Sequence, residues 1–466
     1  MDQIVQSILG IFSSIQNMGA VLFVPIVIFL VGIIFGLNWM KSSRAAITVG
    51  IGFIGVNLAL TLVWDQLGPI THAIVERFGL RLEVLDTSWT SAAAVAFTGQ
   101  VGVFIIPYVL LINVVMIFLR QTKTMNIDIW NYWHFALTGT LVTVMSNSVF
   151  LGFLATACHV VIVLQFADIT AQKVQRELNI PGISIPHANS VALAPLYLFL
   201  DKLYDKIPFM KPSGEKADNE HGMFWKWVSD PVIMGFLIGI VFGLIANCPP
   251  IETATVAMSM AALMLLLPRM VKVIMEGLLP ISQSVKKFAN EKMGRRVIYI
   301  GLDSAVILGH PTTLTASMML IPITLVLAFL LPGNRTIPVG DLVAINFFIA
   351  VATAVHKGSL RRTLVSGAIT TSIMLVVCSY FAPAFTQLAR QTGGMVQMAE
   401  GATLISAMAV GDLVAWVLER LSSIPVAGAL LMVVFTVFVV MVCRGYDRSV
   451  NEQKEPGKAE HSPERE

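Results

Sequence analysis

The sequence predicts an all-α polytopic membrane protein with about eleven transmembrane helices, two re-entrant hairpins and an inverted internal repeat. Three observations predict it: a deficit of charge, a row of apolar segments long enough to span, and a set of matched motifs in the two halves. Of 466 residues, 56% are hydrophobic and 13% charged, against about 25% charged in an ordinary soluble domain. Mean hydropathy is +0.78. These values exclude a soluble enzyme and a disordered chain, and a formal net charge of +3 is too small for a nucleic-acid surface.

A bilayer core needs roughly 20 apolar residues per helix. The spans fall near 18–40, 45–68, 99–119, 134–166, 183–200, 228–246, 252–275, 312–332, 341–356, 363–385 and 423–443. Segment 134–166 is too long for one upright helix, so it is tilted, broken or continued along the interface. Residues 1–17 put Ile4, Ile8, Ile11 and Ile15 on one face, the pattern of an interfacial amphipathic helix. The first span is too long for a signal peptide and follows Asp2 instead of a basic start.

Basic residues set the orientation. Lys41 and Arg44, Arg120 and Lys123, Lys202 to Lys226, Lys286 to Arg296, Lys357 to Arg362, and the tail from Arg444 fall on one side of the alternating spans. Lys173 and Arg176 are assigned to the other side, with Arg77, Arg335 and Arg390. The N-terminus is then external and the C-terminus cytoplasmic, in a bacterial inner membrane. The predicted organisation is an interfacial helix at 1–17, a first membrane repeat at 18–200 and a cytoplasmic loop at 201–227. A second repeat with the last span follows at 228–443, then a disordered tail at 444–466.

The repeat rests on short matches at one approximate offset. Leu85-Asp86-Thr87 matches Leu302-Asp303-Ser304, Ile106-Pro107 matches Ile321-Pro322, and Phe166-Ala167 matches Phe381-Ala382. Asp128 matches Asp341, and Val31 to Leu37 matches Ile238 to Leu244. Five spans separate corresponding elements. Five is odd, so the halves face opposite ways, as in carriers that bind substrate near the midplane between repeats.

Segments 86–99 and 301–313 are too short or too polar to cross alone, and they occupy equivalent places. Both read as re-entrant hairpins, which are tolerated where they line a cavity. Gly301, Gly309 and Pro311 supply the breaks. Ile185-Pro-His-Ala-Asn-Ser190 is a third interruption, with a small, polar counterpart near Gly401 to Ser406.

Asp303 stands at membrane depth in an apolar context. Either it accepts hydrogen bonds from substrate hydroxyls, or it caps the next helix or pairs with Arg295 or Arg296. His187 and Asn189 offer donors and acceptors suited to polyol hydroxyls, or serve a turn. His134 follows Trp130, Tyr132 and Trp133, rings that suit an interfacial belt, and is itself assigned to the site. Trp89 with Thr90 suits a sugar face and hydroxyl, or packing. His159 reads as core, and Asn147 and Asn346 as interhelical hydrogen-bond formers. His310, before a proline, reads as a partner for a free backbone carbonyl. Four scattered cysteines give neither a zinc site nor a disulfide framework, and no cofactor or metal is expected. No phosphate-binding loop or nucleophile motif occurs.

With Gly301-Leu-Asp-Ser-Ala-Val-Ile-Leu-Gly-His-Pro-Thr312 as the most specific stretch, and Trp89-Thr90 and His187-Ala-Asn189 in support, the sequence resembles galactitol-type enzyme IIC. That family is the membrane permease subunit of the bacterial phosphotransferase system, in the ascorbate–galactitol superfamily, and the resemblance covers about 1–445. It implies a homodimer in the lipid bilayer, with a scaffold of spans 1, 2, 6 and 7 and a mobile core that moves substrate like an elevator. It implies separate cytoplasmic IIA and IIB partners, with IIB phosphorylating the sugar. In this resemblance Asp303, Ser304, His187, Asn189, His134, Trp89 and Thr90 bind substrate and none forms a phosphoenzyme. Few cations near these residues favour a neutral polyol over ascorbate. Two rivals are an ion-coupled carrier of the same fold and an intramembrane enzyme using Asp303 and a histidine.

Overall fold

The computed structural model describes residues 19–77, 83–210, 230–292, 297–338, 340–391 and 404–452. The predicted amphipathic helix at 1–17 lies outside them, as does most of the 201–227 loop. Four elements form one group: α1 (Gly19–Ile34), α2 (Trp39–Arg77) and, later in the chain, Pro231–Ile245 and Pro250–Lys292. They correspond to spans 1, 2, 6 and 7. Small residues let α2 and the 250–292 helix approach closely and reciprocally. A Cβ on Gly52 would lie 2.8 Å from Ile274 N, and one on Gly277 would lie 2.8 Å from Ala45 O.

The remaining elements of the first half are β1 (Val84–Asp86), α3 (Ser88–Thr98), α4 (Ile105–Phe118), β2 (Thr124–Asn126), α5 (Trp133–Ser146) and α6 (Val149–Leu178). They end with β3 (Ile183–Ser184), α7 (Ala188–Val191) and α8 (Ala194–Tyr204). The second half repeats the order with α9 (Pro231–Ile245), α10 (Pro250–Lys292), β4 (Tyr299–Gly301), α11 (Ala305–Leu308), α12 (Pro311–Leu330) and β5 (Thr336–Ile337). It continues through α13 (Ile345–Phe348), α14 (Ala350–Val355), α15 (Leu360–Gln391), β6 (Leu404–Ser406), α16 (Leu413–Ser422) and a final α17 (Gly428–Glu452). By length and apolarity, α6, α12, α15 and α17 qualify as membrane spans, and the α3–α4 pair passes together across an 84° bend.

Two small parallel sheets join the halves. One has the order β5-β1-β6 and the other β2-β4-β3. Each central strand comes from one half and both its neighbours from the other, so the halves interlock. The short strands give the broken segments backbone partners inside an apolar interior, where an unpaired N–H or C=O is costly.

Two differences from the sequence prediction have clear causes. Segment 134–166 belongs to two helices, α5 and α6, turned back on each other at Asn147-Ser148. Asn147 takes the left-handed conformation (φ 53°), and Ser148 Oγ caps α6 by accepting from Leu151 N at 3.3 Å. Asn147 thus shapes a turn instead of joining helices. Gly139 and Gly152 face each other where the two helices touch, with a Cβ on Gly152 only 2.6 Å from Gly139 O.

Segment 183–200, in turn, returns to the end it came from. Lys173 Nζ on α6 lies 3.6 Å from Asp201 Oδ2 on α8, while the intervening Asn189 reaches Ala409. Lys173 and Arg176 change sides and join Lys357, which acts on Lys173 electrostatically. At that end Arg362, 1% exposed, donates to Asp201 Oδ1 (2.9 Å), Asp205 Oδ1 (2.8 Å) and Met210 O (2.8 Å), fixing α8 to α15.

The tail also differs. Helix α17 continues to Glu452 because Lys123 pairs with Asp447 at 2.6 Å, Arg444 bonds Gln121, and Lys202 lies over the Tyr446 ring. Residues 453–466 lie outside the described ones.

Candidate functional site

The interlocked sheets bring four carboxylates into two cross-half pairs. Asp128, just after β2, faces Asp303, two residues past β4. Asp86, ending β1, faces Asp341, which precedes α13. Each pair takes one residue from a strand end and one from the start of a short 3-10 turn. Each pair also takes one residue from each half of the chain, yet their surroundings differ.

In the Asp86–Asp341 pair every carboxylate oxygen is occupied by backbone. Asp341 accepts from Trp89 N (2.7 Å) and Ala409 N (2.8 Å), and Asp86 accepts from Ser88 N (2.8 Å) and Asp341 N (3.0 Å). This pair ties α3 to the turn after β6. Trp89 therefore belongs to this pole through its main chain, and its ring is half-buried. The side chain of Thr90 lies outside the described residues.

The Asp128–Asp303 pair is open. Asp303 Oδ1 accepts from Ala305 N (3.1 Å) and Ser304 Oγ (3.3 Å), which caps α11. Its Oδ2 takes no hydrogen bond from the described residues. The capping alternative is thus realised on one oxygen while the other is free. Arg295 and Arg296 lie outside the described residues. Asp128 is held by Asn131, whose Nδ2 donates to both its oxygens (3.1 and 2.9 Å).

Asp303 and Asp128 face Val49 of α2 and Ile274 and Leu278 of α10 across a cavity of about 20 Å³. That volume admits about one water, so a larger molecule fits only if the four-helix group and the hairpin separate.

Two sequence-selected histidines gather beside Asp303. His187 Nε2 lies 4.0 Å from Asp303 Oδ1, and the His134 ring packs edge-on against His187 with centroids 4.5 Å apart. All are buried or nearly so. The hydrogen bonds fix much of the tautomer pattern. Ser190 Oγ donates its single proton to Phe347 O (2.6 Å), so it accepts from His187 Nδ1–H (3.1 Å). The Nε2 edge of His187 is then turned to Asp303. In the same way His134 Nδ1–H donates to Asn131 O (2.9 Å), leaving its Nε2 as the exposed edge. Asn189 is two residues further on, with Nδ2 donating to Ala409 O (2.9 Å).

For Tyr132 and Trp133 the expected aromatic belt is corrected by burial; the side chain of Trp130 lies outside the described residues. Tyr132 is fully buried and donates to Asn126 O (2.8 Å), and Trp133 stacks on His134 with centroids 3.7 Å apart. Those rings support the site's wall instead of marking the lipid surface. His310 also differs: its Nδ1 accepts from Thr312 N (3.2 Å) and its Nε2 lies 3.1 Å from Glu177. Asn346 accepts from Phe347 N at 2.8 Å and makes no bond to another helix among the described residues.

Sequence reasoning missed Asp128 as a site residue. Its signal was present in the match with Asp341, since a repeat that supplies one acid after a strand also supplies its mate.

The family profile for the PTS system sugar-specific permease component matches residues 14–399. The chain belongs to this family of phosphotransferase permeases. It is 42% identical over 436 residues, 93% of this chain and 98% of the relative, to a provisionally assigned permease IIC component of Escherichia coli strain K12. It is 34% identical over 409 residues, 88% of this chain and 90% of the relative, to the galactitol-specific EIIC component of the same strain and to that of Escherichia coli O157:H7. The protein is therefore a galactitol-type sugar permease component, working with other phosphotransferase subunits as a multi-pass inner-membrane protein.

Proposed function

We propose that this permease moves galactitol or a related polyol across the inner membrane and presents it to a cytoplasmic IIB subunit for phosphorylation. The observation that carries the proposal is the 4.0 Å gap between His187 Nε2 and Asp303 Oδ1. It is too wide for a direct hydrogen bond, and a hydroxyl oxygen set between them reaches both within normal range. Such a hydroxyl donates to the carboxylate, while Nε2, in a ring that keeps its proton on Nδ1, accepts from a neighbouring hydroxyl of the polyol. Asp303 then polarises the hydroxyl toward its oxygen, the atom that a phosphoryl acceptor needs exposed. Ser304, His134 and Asn189 complete the polar wall.

Two carboxylates facing one cavity, with no lysine or arginine among its described lining residues, favour a neutral polyol over an anionic sugar acid. Trp89 and Thr90 remain substrate candidates of the opposite pole, reached when the core shifts. The interlocked sheets support two inverted repeats, about 18–200 and 228–418, with ten crossings plus α17. In this proposal the basic end that holds Lys173, Lys357 and Arg362 is cytoplasmic and the N-terminus external. Helices α1, α2, α9 and α10 form a homodimer's fixed scaffold, and the rest moves past their apolar wall.

Titration calorimetry of the purified protein against hexitols, pentitols and ascorbate tests the substrate. Binding of ascorbate in preference to every polyol would overturn it. Accumulation of unmodified polyol in vesicles under a proton gradient, without IIA and IIB, would overturn the phosphotransfer coupling.

A further inference from the structure

A second buried polar cluster lies where the two interrupted segments β3–α8 and β6–α16 meet on α15. Asn189, Ala192, Thr370 and Asp412 line a cavity of about 10 Å³ there. Two of its walls carry free acceptors. Asp412 Oδ1 caps α16 through Ala415 N (2.8 Å), but Oδ2 has no partner among the described residues. Asn189 is oriented by its bond to Ala409 O, and its Oδ1 is likewise without a partner among them. Both side chains are more than nine-tenths buried. Beside them His159, fully buried, bonds Thr138 Oγ1 through Nδ1 (2.8 Å) and turns an unpartnered Nε2 toward Asp412 Oδ1 at 3.7 Å.

We propose that Asn189, Asp412 and His159 form a second hydroxyl subsite that takes one O–H donor. Both free oxygens are acceptors, so the occupant must donate. The cavity admits one water-sized group, and the oxygens are too few for a hard cation, which asks for six or more. Leaving a carboxylate oxygen and an amide oxygen unpaired at this depth is costly; a water, with two O–H bonds, pairs both, and a polyol hydroxyl, with one, pairs one of them. The donor is the terminal hydroxyl of the polyol or a bound water that holds Asn189 in place. The inference rests on the polyol reading, because Asn189 stands between this cavity and His187. It assigns a role to His159, which the sequence reads as core, and to Asp412.

Calorimetry with the full-length protein tests it, using galactitol and its terminally deoxygenated analogue as probes. Asp412→Asn keeps the helix cap and loses the charged acceptor. It is expected to weaken galactitol binding roughly ten- to hundredfold. If the polyol terminus is the donor, the deoxy analogue binds wild type as weakly as galactitol binds the variant, and Asp412→Asn costs it nothing more. If water is the donor, both ligands lose equally, and Asn189→Ala adds less on top of Asp412→Asn than it costs alone.

Ala192→Val fills the cavity without touching a polar group and is expected to give the same loss in a chain whose own acceptors are intact. Wild-type affinity in both Asp412→Asn and Ala192→Val overturns the subsite. Sodium- or potassium-dependent binding that Asp412→Asn removes overturns the O–H donor. Normal binding by Asp303→Asn with loss in Asp412→Asn would instead count against the first site alone.

Discussion

Asp303→Asn separates the two roles that one side chain holds. The amide is isosteric, and its oxygen can still cap α11 through Ala305 N, which the carboxylate does at 3.1 Å. What disappears is the charge facing Asp128 and the charged acceptor facing the His187 gap. A hydrogen bond to a charged group contributes about 1.5–3 kcal/mol, or roughly ten- to hundredfold in affinity. The like-charge contact with Asp128 is relieved at the same time, so the ligand-free protein should melt no lower than wild type. Asp303→Ala loses the same binding and also the cap, about 1 kcal/mol of stability. Calorimetry gives the affinities, and thermal unfolding in detergent gives the stabilities. An Asn variant that binds galactitol as tightly as wild type would refute the assignment of Asp303 to the substrate.

Three further substitutions probe the framework. Asp341→Asn leaves either Trp89 N or Ala409 N without its acceptor, so it should cost about 1–3 kcal/mol in stability while polyol affinity stays near wild type. Equal losses of affinity in Asp341→Asn and Asp303→Asn would show that the two acid pairs are not distinct in role. Arg362→Met removes the guanidinium shared by Asp201 and Asp205, while Asp201 keeps Lys173 and His356, and should destabilise by about 1–3 kcal/mol, read as a lower unfolding temperature. Gly139→Val drives side-chain atoms into Thr156 and the Gly152 carbonyl, so the α5–α6 hairpin should open and folded yield should collapse. Normal yield would contradict the close crossing.

Membrane class was legible because it rests on hydropathy. Polar groups in broken apolar segments stand out in a sequence, and of those picked out the structure brings Asp303, His187 and His134 together. The interlocking of the halves was not legible. Strands of two or three residues such as β3 and β5 leave no alternation to detect, and their pairing joins residues far apart in the chain. The Asn147-Ser148 turn was hidden because two residues interrupt an otherwise continuous apolar run. Lys173 was placed apart from Lys357 because the return of segment 183–200 was not visible in the sequence, whereas the fold puts Lys173 beside Asp201 at the same end. His159 is fully buried, as the sequence reads it; what the sequence hides is its neighbour Asp412, distant in the chain and 3.7 Å from its Nε2.

The most direct test of the central claim is transport by the purified chain in vesicles loaded with phosphoenolpyruvate and the soluble phosphotransferase proteins. Labelled galactitol should appear inside as its phosphate ester, only when IIB is present and not with Asp303→Asn. Free galactitol concentrated inside without IIB, or phosphorylation undiminished in that variant, would contradict the account.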